Sequence, residues 1–237
     1  MQVYDKVIRT TEELLAPFPV RDLTEKPAKR WPLLTENEFL LRNEVAFELG
    51  DRMEPGTCYQ AVTSTEHLVG EDKILLYGSD LQEIKGNVPF TRITWMQMEP
   101  EENQDKAYRQ IKKLEFARFK MIPKGYMMLS SSMEQKEQVR VSKQAIQNGL
   151  DFATIGHMLI DKYKNEFGIK HVQVLFITEK LPVISQLIEQ GKKVDEITNA
   201  FDHILKNIIL DCDLCPLHPI CDDVEELRKI HFEVKQK

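Results

Sequence analysis

The sequence predicts an α/β protein, a layered sheet with flanking helices that carries a small helical, cysteine-containing C-terminal cap. Three observations predict it. Short apolar runs punctuated by Gly, Pro and Asp alternate with helical periodicities through the middle of the chain. One run, HVQVLFIT, sets Val172, Val174 and Phe176 on one face of a strand and Leu175 and Ile177 on the other, as a strand covered on both sides requires. Residues 191–237 then change character, with two helical patterns flanking a stretch that holds three thiols.

Taken in order, residues 3–15 place Val3, Val7, Ile8, Leu14 and Leu15 at helical spacing and stop before the Pro-containing APFPV. RDLTEKPAKRWPLL is polar and interrupted by Pro27 and Pro32, so it is expected to be an arm, with Trp31 as its anchor. FLLRNEVAFELG, KILLYGS and PFTRITWMQMEP are expected strands. QDKAYRQIKKLEFARFKM aligns Ala107, Ile111, Leu114, Ala117 and Met121 on one helical stripe. YMMLSSS and QVRVS return to strand, while EPEENQD and SSSMEQKEQ are expected to be solvated loops.

Ser142 stands where an N-cap would start the short helix KQAIQNG, closed by Gly149. Residues 151–167 repeat apolar side chains at threes and fours (Phe152, Ile155, Leu159, Tyr163, Phe167), and Gly168 follows. VDEITNAFDHILKNIIL is a further helix, and Asp222 and Glu225 have capping-box spacing for a final one. Three units are expected: a helix and Pro-containing arm over 1–35, an α/β domain over 36–190 and the cap over 191–237.

Composition bounds the function. With 237 residues, 42% hydrophobic and 30% charged, the chain can bury a substantial core. A net charge of −6 with no Lys/Arg block lacks the electrostatic footprint of a nucleic-acid binder, so nucleic acid is not an expected partner. Asp5, Glu12 and Glu13 interrupt the N-terminal segment and no run approaches the ~18 apolar residues of a membrane span. The expectation is a cytoplasmic protein with no membrane partner and reduced cysteines. No GxSxG, Walker, HExxH or Rossmann pattern occurs, and no catalytic residue is assigned.

Metal chemistry is where the thiols point. Cys212, Cys215 and Cys221 form C-x2-C-x5-C, with Pro216 and Pro219 bending the backbone between them. Thiolates suit iron–sulfur clusters and zinc alike. His218 would complete a local four-ligand zinc set, and Cys58 is a distant fourth ligand for a cluster. Iron–sulfur is the first expectation; thiols packed without metal in a small helical cap come next, and zinc is the second choice among the cofactors. Cys58 by itself reads as a small buried residue, and His157, His171 and His203 read as isolated.

The segment VRVSKQAIQNGLDFATIGHMLIDKYKNEFGIKHVQVLFITE resembles the middle domain of the acetyl-CoA synthase (beta) subunit of the carbon monoxide dehydrogenase/acetyl-CoA synthase complex. The resemblance is carried by Arg140, Ser142, Lys143, Ala145, Gly149, Ile155, Gly156, Phe167, Gly168, Val172, Gln173, Val174 and Thr178, in that order and spacing. Upstream, KILLYGSDLQEI is similar to the family's strand ending in a G-P-D-I type turn, with Ser79 in place of proline. Gln138 stands where the family places a tryptophan. CDLCPLHPIC also resembles the last three ligands of the iron–sulfur loop of endonuclease III-like DNA glycosylases, whose first cysteine would fall at Leu205.

The resemblance implies a homologue of that middle domain, acting in or derived from the CO dehydrogenase/acetyl-CoA synthase system of an anaerobe. Its implied partners are components of that complex or a CoA-like ligand. The family's docking domain and its nickel and iron–sulfur cluster domain do not fit beside it in 237 residues, so the expectation is a stand-alone binding protein without a complete active site. Arg140, Ser142 and Lys143 bracket a strand-to-helix junction; in such a relative they would receive a CoA phosphate, and otherwise they are a capped helix with two solvated cations. The competing expectation is a metal-bearing redox or binding module unrelated to acetyl-CoA synthesis.

Overall fold

The structure, a computed structural model, describes residues 2–34, 39–50, 54–117, 122–130, 136–206 and 215–235. Two sheets organise it. The larger contains β1 (Arg21–Asp22), β3 (Cys58–Thr63), β4 (Lys73–Tyr77), β5 (Thr91–Gln97) and β8 (His171–Ile177) in the order β1-β4-β8-β5-β3. The pairs β4–β8 and β5–β3 are parallel, whereas β8–β5 and β1–β4 are antiparallel. The smaller sheet is antiparallel, with β2 (Val45–Leu49), β7 (Gln138–Ser142) and β6 (Tyr126–Ser130) in the order β2-β7-β6.

Strand alternation splits the large sheet into two faces. Ile74, Leu76, Arg92, Val174 and Phe176 share one face through their register. It packs on α4 (Phe152–Phe167), where Phe152 and Phe176 stack at 4.5 Å, a contact of about 0.5–1.5 kcal/mol beyond area burial. Asp151 caps α4 by accepting from the Thr154 N–H at 2.8 Å, and Gly168 closes it at φ 64°. At Gly156 helix and sheet touch so closely that a Cβ would stand 2.7 Å from both Ile74 Cγ1 and Cγ2.

The other face meets α1 (Asp5–Leu15) and α5 (Ile184–Leu205) beside β3. Val7, Ile8, Thr11 and Leu15 of α1 are buried at helical spacing, and Thr11 Oγ1 lies 2.7 Å from the Tyr59 hydroxyl. Asp5 accepts hydrogen bonds from Thr63 and Thr65 of the β3 end, fixing how α1 enters. α2 (Gln104–Ala117) buries Ala107, Ile111, Leu114 and Ala117, the expected stripe; Met121 lies outside the described residues.

The sequence expectations of α/β layering, a doubly buried β8 and the Ser142 N-cap agree with this arrangement. Four details differ. β3 was not expected as a strand, because GTCYQAVT mixes small and polar residues and shows no alternation. α5 starts at Ile184 instead of Val194, since Leu187 and Gln190 already face the core. Asp222 is not a cap: it lies in α6 (His218–Asp223), where it accepts from Arg228 at 2.8 Å. α7 (Glu225–Lys235) follows the break at Val224, so Cys221 belongs to a short helix and not to a loop. Residues 207–210 of the expected helix lie outside the described residues.

Candidate ligand-binding cleft

The polar arm is fastened where the sequence expects its anchor. Trp31 Nε1 donates to the Lys124 carbonyl at 2.8 Å, Lys124 N–H donates to Pro32 O at 2.8 Å and Leu34 N–H to Ile122 O at 2.7 Å. Prolines at 27 and 32 cannot donate to a ladder, so the arm docks through a few bonds and leaves a gap behind it. α3 (Lys143–Gln147) forms the opposite wall, and between them lies a cleft of about 900 Å³. That is within the range of small-molecule sites, roughly 300–1,000 Å³.

Trp31 and Phe39 line the cleft as flat apolar surfaces, with Arg30, Lys124 and Lys143 as cations and Glu44 as the carboxylate. In a chain of net charge −6 this lining has a positive excess, which favours an anionic ligand. Glu44 is occupied locally, accepting from the Leu41 N–H at 2.8 Å. Phe39 is 72% exposed, so its ring is available to a ligand. The floor depends on Gly125 at φ +81°: a Cβ there would sit 2.7 Å from Ser142 Oγ and from Ala145 Cβ. No thiol or imidazole is among the described lining residues, and the cleft pairs flat apolar surfaces with a positive excess of charge.

The structure divides the three sequence-predicted ligand residues. Ser142 and Lys143 line the cleft, but Ser142 Oγ is buried and accepts from the Ala145 N–H at 3.0 Å, and Lys143 Nζ donates to Asn43 O at 2.9 Å. Arg140 faces β2, where its Nε donates to Glu48 Oε1 at 2.8 Å. Gln138, in the position of the family's tryptophan, also reaches Glu48, at 3.3 Å.

A second polar cluster escaped the sequence reading. Arg92 of β5 and Glu137, which precedes β7, form an ion pair with side chains 4% and 1% exposed. Arg92 Nε donates to Glu137 Oε2 at 3.0 Å, the Cys58 thiol donates to the same oxygen at 3.3 Å, and the Tyr126 hydroxyl donates to Oε1 at 3.3 Å. Burial opposes charge on Arg92, but Glu137 and Cys58 hold the guanidinium protonated well above its usual range. Burial, aided by Glu137, pushes the Tyr126 hydroxyl up. Glu137 falls in SSSMEQKEQ, expected to be solvated; the remote Arg92 is what makes its burial tolerable. Cys58 is buried as expected, although its thiol belongs to a polar network.

Of the proposed metal ligands, Cys215 and Cys221 flank the turn that starts α6, and His218 begins it. His218 N–H donates to Cys215 O at 3.1 Å, and His218 Nε2 lies 3.5 Å from Asp222 Oδ2. Cys212 lies outside the described residues. Among the described residues no three His, Cys, Asp or Glu side chains are gathered to hold a metal. No described helix is long and apolar enough to cross a membrane.

The family motif has physical roles in this setting. Gly78 at φ 104° leaves room for Thr178 Oγ1, which donates to Ser79 O at 2.8 Å. Asp80 Oδ1 accepts from the Phe152 N–H at 2.9 Å, so the turn after β4 helps to cap α4. Lys26 of the arm bridges Asp80 at 3.2 Å and Asp151 at 2.9 Å. The family model for the CO dehydrogenase/acetyl-CoA synthase complex beta subunit matches residues 33–183, a span from the arm to the start of α5. No curated protein matches the chain.

Proposed function

Because the chain belongs to the CO dehydrogenase/acetyl-CoA synthase complex beta subunit family, we propose that its 36–190 unit is a middle-domain-like module that, together with the arm carrying Arg30 and Trp31, binds CoA or a similar nucleotide-bearing ligand. The observation that carries this reading is the cleft of about 900 Å³, with Trp31 and Phe39 for a flat base and Arg30, Lys124 and Lys143 for phosphates. In this role the cleft binds and positions; it does not form the acyl bond. Components of the CO dehydrogenase/acetyl-CoA synthase complex are the corresponding protein partners.

Calorimetric titration with CoA, with pantetheine as the control that lacks the nucleotide, tests the reading. Saturable binding of CoA that pantetheine does not reproduce is expected, weakened about tenfold or more in Arg30→Ala and Lys143→Ala. Absence of heat with CoA overturns it.

A redox or structural metal role for the 191–237 cap is the second reading, favoured by Cys215 and Cys221 on one turn–helix segment. The proposed cofactor is an iron–sulfur cluster on Cys212, Cys215 and Cys221, with zinc on the same thiols and His218 as the second choice. When bound, a cluster would supply single-electron chemistry.

A further inference from the structure

Residues 25–30 of the arm run between two fixed points. On one side Leu23 is buried and its N–H donates to Ile74 O at 2.8 Å, while Thr24 Oγ1 accepts from the Ile74 N–H at 3.0 Å. On the other, Trp31, Pro32 and Leu34 are bonded to residues 122–124. Everything from 25 to 30 is exposed, and among the described residues 27–31 make no backbone–backbone hydrogen bond. A segment with so few buried contacts and no ladder belongs to the low-stability end of a fold.

Side chains seat it instead. Lys26 Nζ lies 3.2 Å from Asp80 Oδ2 and 2.9 Å from Asp151 Oδ2, with the two carboxylates 7% and 5% exposed. His157 Nε2 donates to Lys26 O at 3.0 Å, Lys29 Nζ donates to Gly149 O at 2.6 Å and the Lys29 N–H reaches Thr154 Oγ1 at 3.4 Å. Every partner thus lies in the turn after β4 or within residues 149–157.

The two carboxylates divide their oxygens between separate tasks. Asp80 Oδ1 accepts from the Leu81 and Phe152 N–H groups at 2.8 and 2.9 Å, and Asp151 Oδ1 accepts from the Thr154 N–H and hydroxyl at 2.8 and 2.6 Å. Those bonds cap α4, whereas Lys26 engages the Oδ2 atom of each. Lys26 can therefore leave while the cap stays. Two nearly buried oxygens also draw the ammonium back more strongly than an exposed carboxylate would. Arg30 and Trp31, directly downstream, form one wall of the cleft, so the seating of residues 25–30 sets the position of that wall.

We propose that residues 25–30 are a strap over the cleft, that Lys26 seated on Asp80 and Asp151 is its latch, and that release of the latch admits the ligand. The last step rests on the cleft being the ligand site; the strap is tested without ligand. Trypsin cleavage after Arg30 reads opening, because a protease cuts only chain that has detached locally, and Pro27 blocks cleavage after Lys26 in the parent chain.

In Lys26→Met, cleavage after Arg30, identified by fragment mass, is expected to speed about fivefold or more, with cleavage after Lys164 of α4 unchanged. Lys29→Met keeps the Arg30 site, is expected to act in the same direction and carries the test should Lys26→Met fail to fold. An unchanged rate after Arg30, or an equal acceleration after Lys164, overturns the strap. In stopped-flow tryptophan emission, CoA is expected to associate about fivefold faster with Lys26→Met. Faster cleavage without faster association overturns the gate, whereas selective cleavage in a chain that binds no CoA refutes the ligand reading and leaves the strap standing on the cleavage alone.

Discussion

Arg92 of the five-stranded sheet and Glu137, just before β7 of the three-stranded one, meet in the interior, with Nε donating to Oε2 at 3.0 Å and neither side chain more than 4% exposed. Cys58 and Tyr126 complete the shell around the carboxylate. The pair therefore sets how the three-stranded sheet sits against the five-stranded one.

Removing one partner leaves the other charge buried and uncompensated. Glu137→Gln and Arg92→Met are each expected to cost about 3–5 kcal/mol, measured by urea unfolding. The double variant Arg92→Met/Glu137→Leu is expected to cost clearly less than the sum of the singles, because no orphan charge remains.

At Gly156 α4 packs tightly on Ile74 of the sheet. A Cβ there meets Ile74 side-chain atoms at 2.7–2.8 Å, so Gly156→Ala is expected to destabilise by about 1–3 kcal/mol despite the better helix propensity of alanine. Adding Ile74→Val, which removes one of the crowded methyls, is expected to restore part of that loss in thermal unfolding.

Glu83 is held at a pKa of about 2 by the bidentate grip of Arg21, whose nitrogens donate at 2.9 and 2.8 Å, and by the Asp80 N–H at 2.7 Å. A depressed carboxylate contributes stability that is complete above its ordinary value, near 4.5, and is lost as pH falls through about 2. Chemical unfolding between those pH values is expected to show a decline in stability that is shallower in Glu83→Gln. The half-exposed position of both side chains keeps the effect small, and salt is expected to reduce it.

The cysteine cap gives a compositional prediction. Anaerobically purified protein is expected to carry an iron–sulfur chromophore that Cys215→Ser loses, checked by elemental analysis and a visible spectrum. Zinc in place of iron would make the segment a structural staple, and protein without either metal would overturn the site.

How much of this was legible in the sequence depended on the range of the interaction. The cap at Ser142, the terminating Gly168 and the two-faced β8 are set by residues within a few positions of one another, so their patterns can be read locally. The partnership of Arg92 with Glu137 spans 45 positions, and alone each looks like an ordinary surface charge. Strand β3 hides for a similar reason: Thr11 of α1 meets Tyr59, and Asp5 meets Thr63, contacts that no local period encodes. In the cleft, Lys143 was found through its strand-to-helix junction, while Trp31 was read as an anchor only. Arg30 and Phe39 join it through the fold, and Arg140 turns away to Glu48 because β2 supplies a nearer carboxylate.

The most direct test of the ligand-binding reading uses the two tryptophans, Trp31 and Trp95. In a Trp95→Phe background the emission reports Trp31 alone, at the wall of the cleft. Saturable quenching by CoA, abolished by Lys143→Ala together with Arg30→Ala, is the predicted result. Emission that stays constant as CoA is added would contradict the account.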